Sequence, residues 1–225
     1  MKNIVYILIL AAFSIGFGSC VPEVEVPDQN KIYLSLNLKY NKTLDKTSAT
    51  VAFLQDNSSG SKLELDNDAL ITYNENNLIF DVSEKCYGKD FIGLVEDDFV
   101  YVDLDSDELV NSMEMIDSLY FETASDTQSI SEDLILDISM SALEDDEQLE
   151  VDLINIGADF STTLYSTTFS GNLMNITTDQ LADVPLGQII IIVRRLKHED
   201  QLTQSKLAGG EQLISYEVQD TIILN

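Results

Sequence analysis

The chain has 225 residues and a formal net charge of −28, from 40 Asp and Glu against 12 Lys and Arg. A field of this sign repels nucleic acid and anionic membrane surfaces, which argues against nucleic acid as a partner and against electrostatic attachment to a membrane. With 44% hydrophobic residues, nine Tyr and nine Phe, the chain can bury a core and is not of the disordered type. The charge itself fits plain solubility, or a surface for a divalent cation or a basic partner.

The first nineteen residues have the pattern of a secretory signal peptide. Lys2 precedes the apolar stretch IVYILILAAF, and small residues follow before Cys20. This order of a charged start, an apolar run and small residues is typical of export signals. The run is shorter than the roughly 20 residues that span a bilayer. Residues 1–19 are therefore predicted to be a signal peptide.

Residues 17–20, Phe-Gly-Ser-Cys, resemble the lipobox of bacterial lipoproteins. That resemblance implies lipidation of Cys20, and two or three acyl chains on one residue anchor a protein stably. The alternative is an ordinary secretory signal beside a chance cysteine. After Cys20, the segment VPEVEVPDQN contains two prolines and three acidic residues. We expect residues 20–30 to form the lipidated cysteine and a stiff, solvated tether.

Cys86 is the second of only two cysteines. With Cys20 lipidated, no partner remains for a disulfide, although exported proteins often have one. Cys86 is predicted to be a small, partly buried residue. A reactive thiol is the lesser alternative, because no histidine lies near it in the sequence.

Alternating apolar and polar residues predict β-strands in the first half of the chain. The clearest case is KIYLSLNLKY, residues 31–40, in which Ile32 to Tyr40 place every second side chain on one face. This pattern indicates a half-buried strand. Further strands are predicted in SATVAFL, SKLELD, ALITY, NLIFDV and DFVYVDLD. QDNSSG is predicted to be a turn, and NEN the centre of a hairpin.

The polar segment ETASDTQSISED, residues 122–133, lacks periodicity and is predicted to separate two halves. Strands are then predicted in DLILDISM, QLEVDLINI, EQLISYEV and DTIIL, with a hairpin around residues 170–172 in TTLYSTTFSGNLMNI. GQIIIIVRRL is apolar on both faces and β-branched, which predicts a buried central strand. EDDEQLE and TDQLADV each suit a single helical turn.

Short strands separated by turn signals at intervals of about 8 to 12 residues are typical of β-sandwiches. The predicted fold class is all-β, with two small antiparallel β-sandwich (immunoglobulin-like) domains after a lipoprotein signal peptide. The first domain is assigned to residues 31–122 and the second to residues 123–225.

Several short motifs resemble a group of small surface or periplasmic lipoproteins from Bacteroidota. The first-half motif is an A-x-F…G-x-x-L-x-L pattern, carried by Ala52, Phe53, Gly60, Leu63 and Leu65. The second-half motif is a Pro-x-Gly turn, an apolar strand ending in Arg, and a Gly-Gly strand start: Pro185, Gly187, Arg194, Gly209 and Gly210. The chain departs from the group in having no tryptophan. The resemblance implies a cellular address and a fold, and it implies no activity.

Catalytic signatures are weak in this sequence. His198 is the only histidine and lies in RRLKHED, where we expect an exposed loop residue. A Ser-His-Asp triad would need it, and no G-x-S-x-G motif occurs. Ligands for a histidine–cysteine metal site are lacking. The RRLK stretch, residues 194–197, is interpreted as internal charge balance, and the chain is predicted not to be an enzyme.

Residues 103–114, DLDSDELVNSME, match part of the EF-hand pattern for calcium. The candidate ligands at positions 1, 3, 5, 9 and 12 are Asp103, Asp105, Asp107, Asn111 and Glu114. Oxygen ligands at alternate positions suit Ca²⁺. Two features count against a site: Glu108 stands where the loop needs Gly, and a strand pattern precedes it. A calcium site and a solvated acidic strand or loop therefore both remain open.

Two tripeptides, DSL at 117–119 and DTI at 220–222, match a short sequon that resembles O-glycosylation sites of Bacteroidota proteins. The resemblance makes Ser118 and Thr221 candidate modification sites.

These observations together predict a non-enzymatic binding or adhesion module on the outer membrane, facing the periplasm or the cell surface. Its partners would be the membrane, through the lipid anchor, and a protein or glycan, with no nucleic acid. No cofactor is expected apart from the candidate calcium. The alternative is a structural or pilus-type assembly subunit that exchanges strands with its neighbours.

Overall fold

The computed structural model describes residues 28–65, 69–166 and 172–225. The predicted signal peptide, Cys20 and most of the predicted tether lie outside the described residues. No helix within the described ranges has the length and hydropathy that a membrane crossing requires.

The described chain is built almost wholly of strands. Those of the first half are β1 (Ile32–Asn41), β2 (Lys46–Gln55), β3 (Lys62–Leu63), β4 (Leu70–Tyr73), β5 (Asn76–Asn77), β6 (Ile79–Asp81), β7 (Cys86–Ile92), β8 (Asp98–Val102) and β9 (Glu108–Ser112). Those of the second half are β10 (Leu119–Thr123), β11 (Thr127–Gln128), β12 (Leu134–Met140), β13 (Glu147–Asn155), β14 (Phe160–Ser166), β15 (Leu173–Ile176), β16 (Gly187–Glu199) and β17 (Gly210–Leu224). Two 3₁₀ turns (Gln29–Lys31 and Ile156–Ala158) and the α-helical turn α1 (Thr178–Leu181) complete the elements.

The strands form one large sheet and two small ones. The large sheet has ten strands in the order β14-β13-β16-β17-β1-β2-β7-β6, with β11 beside β17 and β3 beside β2. The small sheets have the orders β10-β12-β15 and β5-β4-β8-β9. Pairing between the named strands is antiparallel except for β1 with β17 and β11 with β17. The predicted all-β fold class with antiparallel sheets is confirmed.

Two hydrophobic cores lie between the sheets. The first is formed mainly by side chains of β1, β2, β4 and β8 and includes Leu36, Val51, Phe53, Tyr73, Phe99 and Tyr101. The second joins β10, β12 and β15 to β13, β16 and β17 and includes Phe121, Leu136, Val151, Ile191 and Val193. Burial of each such side chain stabilises the fold by about 1.5–3 kcal/mol. The alternation predicted for residues 31–40 is confirmed, because Ile32 and every second residue to Tyr40 are buried.

The first and last strands join the two cores. β1 and β17 pair in parallel, from Leu34 opposite Gly210 to Asn41 opposite Glu217. β17 contributes Ile214 to the first core and, two residues later, Tyr216 to the second. The large sheet therefore runs unbroken behind both cores. The division of the chain at residue 122 stays a prediction.

Two motif glycines are required by close packing. A Cβ on Gly60 would lie 1.8 Å from the carbonyl oxygen of Gln55, in the turn that brings β3 back to β2. A Cβ on Gly210 would lie 2.7 Å from the carbonyl oxygen of Leu34. Gly210 thus permits the approach of β17 to β1 at the start of their parallel pairing.

The predicted turns had mixed outcomes. The NEN hairpin is present: Tyr73 pairs with Asn76 across Asn74 and Glu75, which both have positive φ, as a type I′ turn requires. The hairpin predicted around residues 170–172 is wrong, because β14 joins the large sheet and β15 the three-stranded sheet. Residues 167–171 lie outside the described residues. An alternating pattern does not distinguish a hairpin from a crossing between facing sheets.

Candidate functional site

An open groove of about 580 Å³ lies on the face of the large sheet that points away from both cores. Its lining residues come from β1, β13, β16, β17 and the loop before β13: Asn37, Lys39, Asp145, Asp146, Glu147, Gln148, Glu150, Arg194, Leu196, His198, Leu213, Ser215 and Glu217. Four of these, Asp145, Asp146, Glu150 and Glu217, contribute carboxylates, against Lys39 and Arg194, since the carboxylate of Glu147 pairs with Arg195. The groove is therefore acidic, and we refer to it as the acidic groove.

Arg194 is the centre of the acidic groove. It lies opposite Glu150 on β13 and opposite Glu217 on β17, because the three strands are in register at this level. Arg194 Nε lies 2.6 Å from Glu217 Oε1, and Nη1 lies 3.1 Å from Glu150 Oε2 and 2.9 Å from Asp152 Oδ2. One guanidinium thus serves three carboxylates, and the cluster keeps an excess of negative charge.

The electrostatics of this cluster favour the charged guanidinium. Burial alone would lower the pKa of Arg194, but Glu217 and, to a lesser extent, Asp152 and Glu150 outweigh it and raise the pKa. The carboxylates have further donors: Gln148 Nε2 to Glu150 (3.3 Å), Thr163 Oγ1 to Asp152 (2.5 Å) and Asn41 Nδ2 to Glu217 (3.5 Å). The carboxylates of Glu150, Asp152 and Glu217 are thus held in place by the strands on which they lie.

The rim of the acidic groove adds groups that can face a ligand. Lys39 Nζ lies 4.0 Å from Glu217 and is 43% exposed. His198 lies 3.5 Å from both Asp200 and Glu211.

Arg195 points to the opposite face of the same strand and is 1% exposed. Its guanidinium pairs with Glu147 and donates to Ser141 Oγ (2.8 Å) and to the carbonyl of Ala142 (3.2 Å). Because successive strand residues alternate between faces, the two consecutive arginines serve different environments. Both arginines pair with carboxylates, as the interpretation of RRLK as internal charge balance requires.

The calcium candidates form a turn that is held by a lysine. Asp103 is 2% exposed, and its Oδ1 accepts the backbone N–H groups of Asp105 (2.9 Å) and Asp107 (2.8 Å). Its other oxygen pairs with the Lys206 ammonium, which also lies 2.8 Å from Asp107 Oδ2. Burial would raise the pKa of Asp103, but Lys206 and the two N–H groups lower it overall.

The remaining calcium candidates lie apart from this turn. Asn111 is buried, and its amide exchanges two 2.9 Å hydrogen bonds with the backbone of Gln204. Glu114 is exposed beyond the end of β9. In the described residues no group of three His, Cys, Asp or Glu is arranged to hold a metal ion. The five candidates are not brought together, and the calcium site stays a prediction.

Of the other sequence candidates, Ser118 and Thr221 are both exposed. Thr221 lies on β17 and lines a second groove of about 430 Å³, beside Ile156, Leu186 and Ile190. Cys86 is half-buried, as predicted. His198 is half-exposed, but it lies within β16 and not in the predicted loop.

The acidic groove was not predicted from the sequence. Its signal was the polar half of each alternation: Glu150 and Asp152 on β13, Arg194 on β16 and Glu217 on β17. Each strand was predicted, but the order that places them side by side depends on long-range pairing.

No protein-family model matches the sequence, and no curated protein matches it. Among solved structures, one titled "Structural insight into host cell surface retention of a 1.5-MDa bacterial ice-binding adhesin" has a TM-score of 0.24 at 10% identity, over 88% of this chain and 66% of that chain. The chicken CNTN1 FN1–FN3 domains match with a TM-score of 0.24 at 9% identity, over 80% of this chain and 64% of that chain. The chain thus spans slightly less than two thirds of each. At this TM-score neither likeness bears on the function of this chain.

Proposed function

We propose that this protein is a lipid-anchored, non-enzymatic binding module of the bacterial outer membrane, whose acidic groove receives a cationic segment of a partner protein. The observation that carries the proposal is the acidic groove, in which the carboxylates of Asp145, Asp146, Glu150 and Glu217 line an open face of the large sheet.

The anchor is supported by the sequence alone. Residues 17–20 resemble a lipobox, and a tether leads from Cys20 to the first described residues. The acidic body is repelled by anionic lipid, so the tether would hold it clear of the membrane. These features support a position on the outer membrane, facing the periplasm or the cell surface.

A cationic partner is supported by charge and by preorganisation. Glu150, Asp152 and Glu217 are fixed by hydrogen bonds before any ligand arrives, so little side-chain entropy is lost on binding. The net charge of −28 steers cations toward the protein at long range. Lysine or arginine side chains can then approach the partly exposed carboxylates of Glu150 and Asp152, which Arg194 does not fully neutralise.

Binding is favoured over catalysis and over pilus-type assembly. His198 has only carboxylate partners in the described part of the chain, so no nucleophile is activated there. A pilus-type subunit would lack a strand in the middle of its sheet, where a neighbour's strand is donated. Here β1 and β17 already pair with each other at the centre of the large sheet.

The test is isothermal titration calorimetry of the chain with a synthetic peptide of alternating lysine and alanine, carried out at two salt concentrations. We expect Glu150→Gln to weaken binding about tenfold, which corresponds to about 1.4 kcal/mol. Asp137→Asn is the matched control, since it removes one exposed carboxylate from the three-stranded sheet. Binding should also weaken as salt rises. Equal affinity in wild type and Glu150→Gln would contradict the assignment of the groove.

A further inference from the structure

Strand β14 forms an open edge of the large sheet. In the described residues it pairs only with β13, and it is the first strand in the order of the sheet. It has seven residues, whereas the other strands that end a sheet have five or fewer. An unpaired strand edge presents backbone N–H and C=O groups that can pair with another chain.

This edge lacks the features that normally prevent such pairing. Natural edges are protected by charge, by proline or by short length. Residues 160–178 contain no Asp, Glu, Lys, Arg or Pro, although 23% of the whole chain is charged. At the other end of the large sheet, β6 has three residues and ends in Asp81. The protection is therefore missing at β14 in particular.

We propose that β14 pairs with β14 of a second copy of this chain, in antiparallel orientation about a two-fold axis. A second copy is the favoured occupant because of charge. Two chains of −28 repel each other wherever their charged surfaces meet, and an uncharged edge is where self-association is least opposed. A two-fold arrangement also closes on itself and does not propagate into a fibre.

The sequence of β14 suits this arrangement. In an antiparallel pair, two opposed residues either both hydrogen-bond to each other or both point their backbone groups away. The two-fold axis of a symmetric pair therefore lies midway between one residue and the same residue of the second copy. Full overlap of the seven residues places Thr163 opposite itself. The other pairs are Phe160 with Ser166, Ser161 with Tyr165, and Thr162 with Leu164. Threonine pairs are favourable across strands, and no like charges meet.

The pairing has a consequence for the anchors, which rests on the proposed lipid anchor. Thr163 lies level with Asp152, Ile192 and Gln219, and Gly210 lies level with Leu34 near the tether. Nine residues of β17 separate these levels, or about 30 Å. In the antiparallel pair the two tethers therefore lie on opposite sides of the two-fold axis, each four strands away from the seam.

Disulfide trapping tests the pairing in the full-length chain, in its own cells, with Cys86→Ser as background. Opposed Cα atoms in antiparallel strands lie about 4.5–5.5 Å apart, within the range of a disulfide. We expect Thr163→Cys to give a reducible dimer on mild oxidation. Thr162→Cys is the control, since its counterpart is displaced by two residues. Equal yields from both variants, or no dimer from a maleimide-reactive Thr163→Cys, would overturn the proposal.

A second measurement avoids the introduced cysteine. Two tagged copies should co-precipitate as wild type and as Thr163→Ser, and Thr163→Lys should reduce their recovery at least fivefold, because two lysines would then oppose each other. Equal recovery of the lysine variant would overturn the pairing. Palmitate labelling of Cys20 reports on the anchor separately, so the two proposals can fail independently.

Discussion

Arg194 and Glu217 face each other on neighbouring strands of the large sheet, with Nε of the arginine 2.6 Å from Oε1 of the glutamate. The glutamate side chain is only 4% exposed, and the arginine side chain is 20% exposed. A charge this buried depends on its partner, since water cannot replace the interaction. The acidic groove is therefore also part of what stabilises the centre of the sheet.

Replacing Arg194 by Met should destabilise the protein. The substitution leaves Glu217 buried beside Glu150 and Asp152, with only the partly exposed Lys39 at 4.0 Å as a cation, and we expect a loss on the order of 3 kcal/mol in the free energy of unfolding. Urea denaturation measures this. The control is Lys46→Met, whose ion pair with Asp90 is exposed on both sides and should cost less than about 1 kcal/mol. Equal losses in the two variants would contradict this role of Arg194.

Lowering the pH should remove the contribution that Asp103 makes to the stability of the fold. Its folded pKa is lowered: burial opposes the shift, but Lys206 and two backbone N–H groups exceed it. The stabilisation is therefore complete above the unfolded pKa of about 4 and disappears as the pH falls through the folded pKa. Asp103→Asn keeps a side-chain oxygen that can accept the two backbone N–H groups, but it loses the charge. We expect this variant to be about 2 kcal/mol less stable than wild type at neutral pH. That difference should shrink in denaturation experiments below about pH 4. A constant difference would show that the charge is not its source.

The Lys206 ammonium takes the place that a cation would have beside Asp103 and Asp107. We therefore expect about 1 mM Ca²⁺, within the range for weak extracellular sites, to leave the melting temperature of the wild type unchanged. Asp105→Asn serves as the control. The carboxylate of Asp105 is exposed, so its removal should not change how the melting temperature responds to Ca²⁺. A rise in melting temperature that a chelator reverses would restore the calcium interpretation.

Cys86 should be a slow nucleophile. Burial raises the pKa of its thiol and outweighs the opposing effect of Lys62, so little thiolate is present at neutral pH. In the folded Cys20→Ala chain we expect Cys86 to react with an aromatic disulfide reagent more slowly than free cysteine in solution does. Unfolding in urea should bring its rate close to that of free cysteine. A fast reaction in the folded chain would point to a reactive thiol.

Local patterns in the sequence predicted the strands well. The alternation from Ile32 to Tyr40 and the apolar run in β16 follow directly from which side chains must be buried. Even α1 was indicated by TDQLADV, residues 178–184. Thr177, the residue directly before this stretch, forms a capping box with Gln180. EDDEQLE was wrong as a helical turn, because β13 begins at Glu147 within it. His198 was placed in a loop since polar residues surround it, but pairing with β17 extends the strand past it.

The arrangement of the strands was beyond the reach of local patterns. The parallel pairing of Leu34 with Gly210 joins residues that are far apart in the chain, and no periodicity encodes it. The same pairing order places Glu150, Arg194 and Glu217 in one row, so the acidic groove could not be found either. The alternate acids from Asp103 to Asp107 predict a metal site, which stays a prediction, and the sequence does not show that Lys206 lies beside Asp103 and Asp107.

Metabolic labelling with a palmitate analogue, combined with protease shaving of intact cells, tests most directly whether this fold works as a lipid-anchored module at the cell envelope. Wild type and Cys20→Ala are compared, with Cys86→Ala as the matched control. We expect label in the wild type and in Cys86→Ala, and none in Cys20→Ala; shaving of the labelled protein would place it on the outer surface, and protection would place it on the periplasmic face. Unlabelled wild type would contradict the lipid anchor.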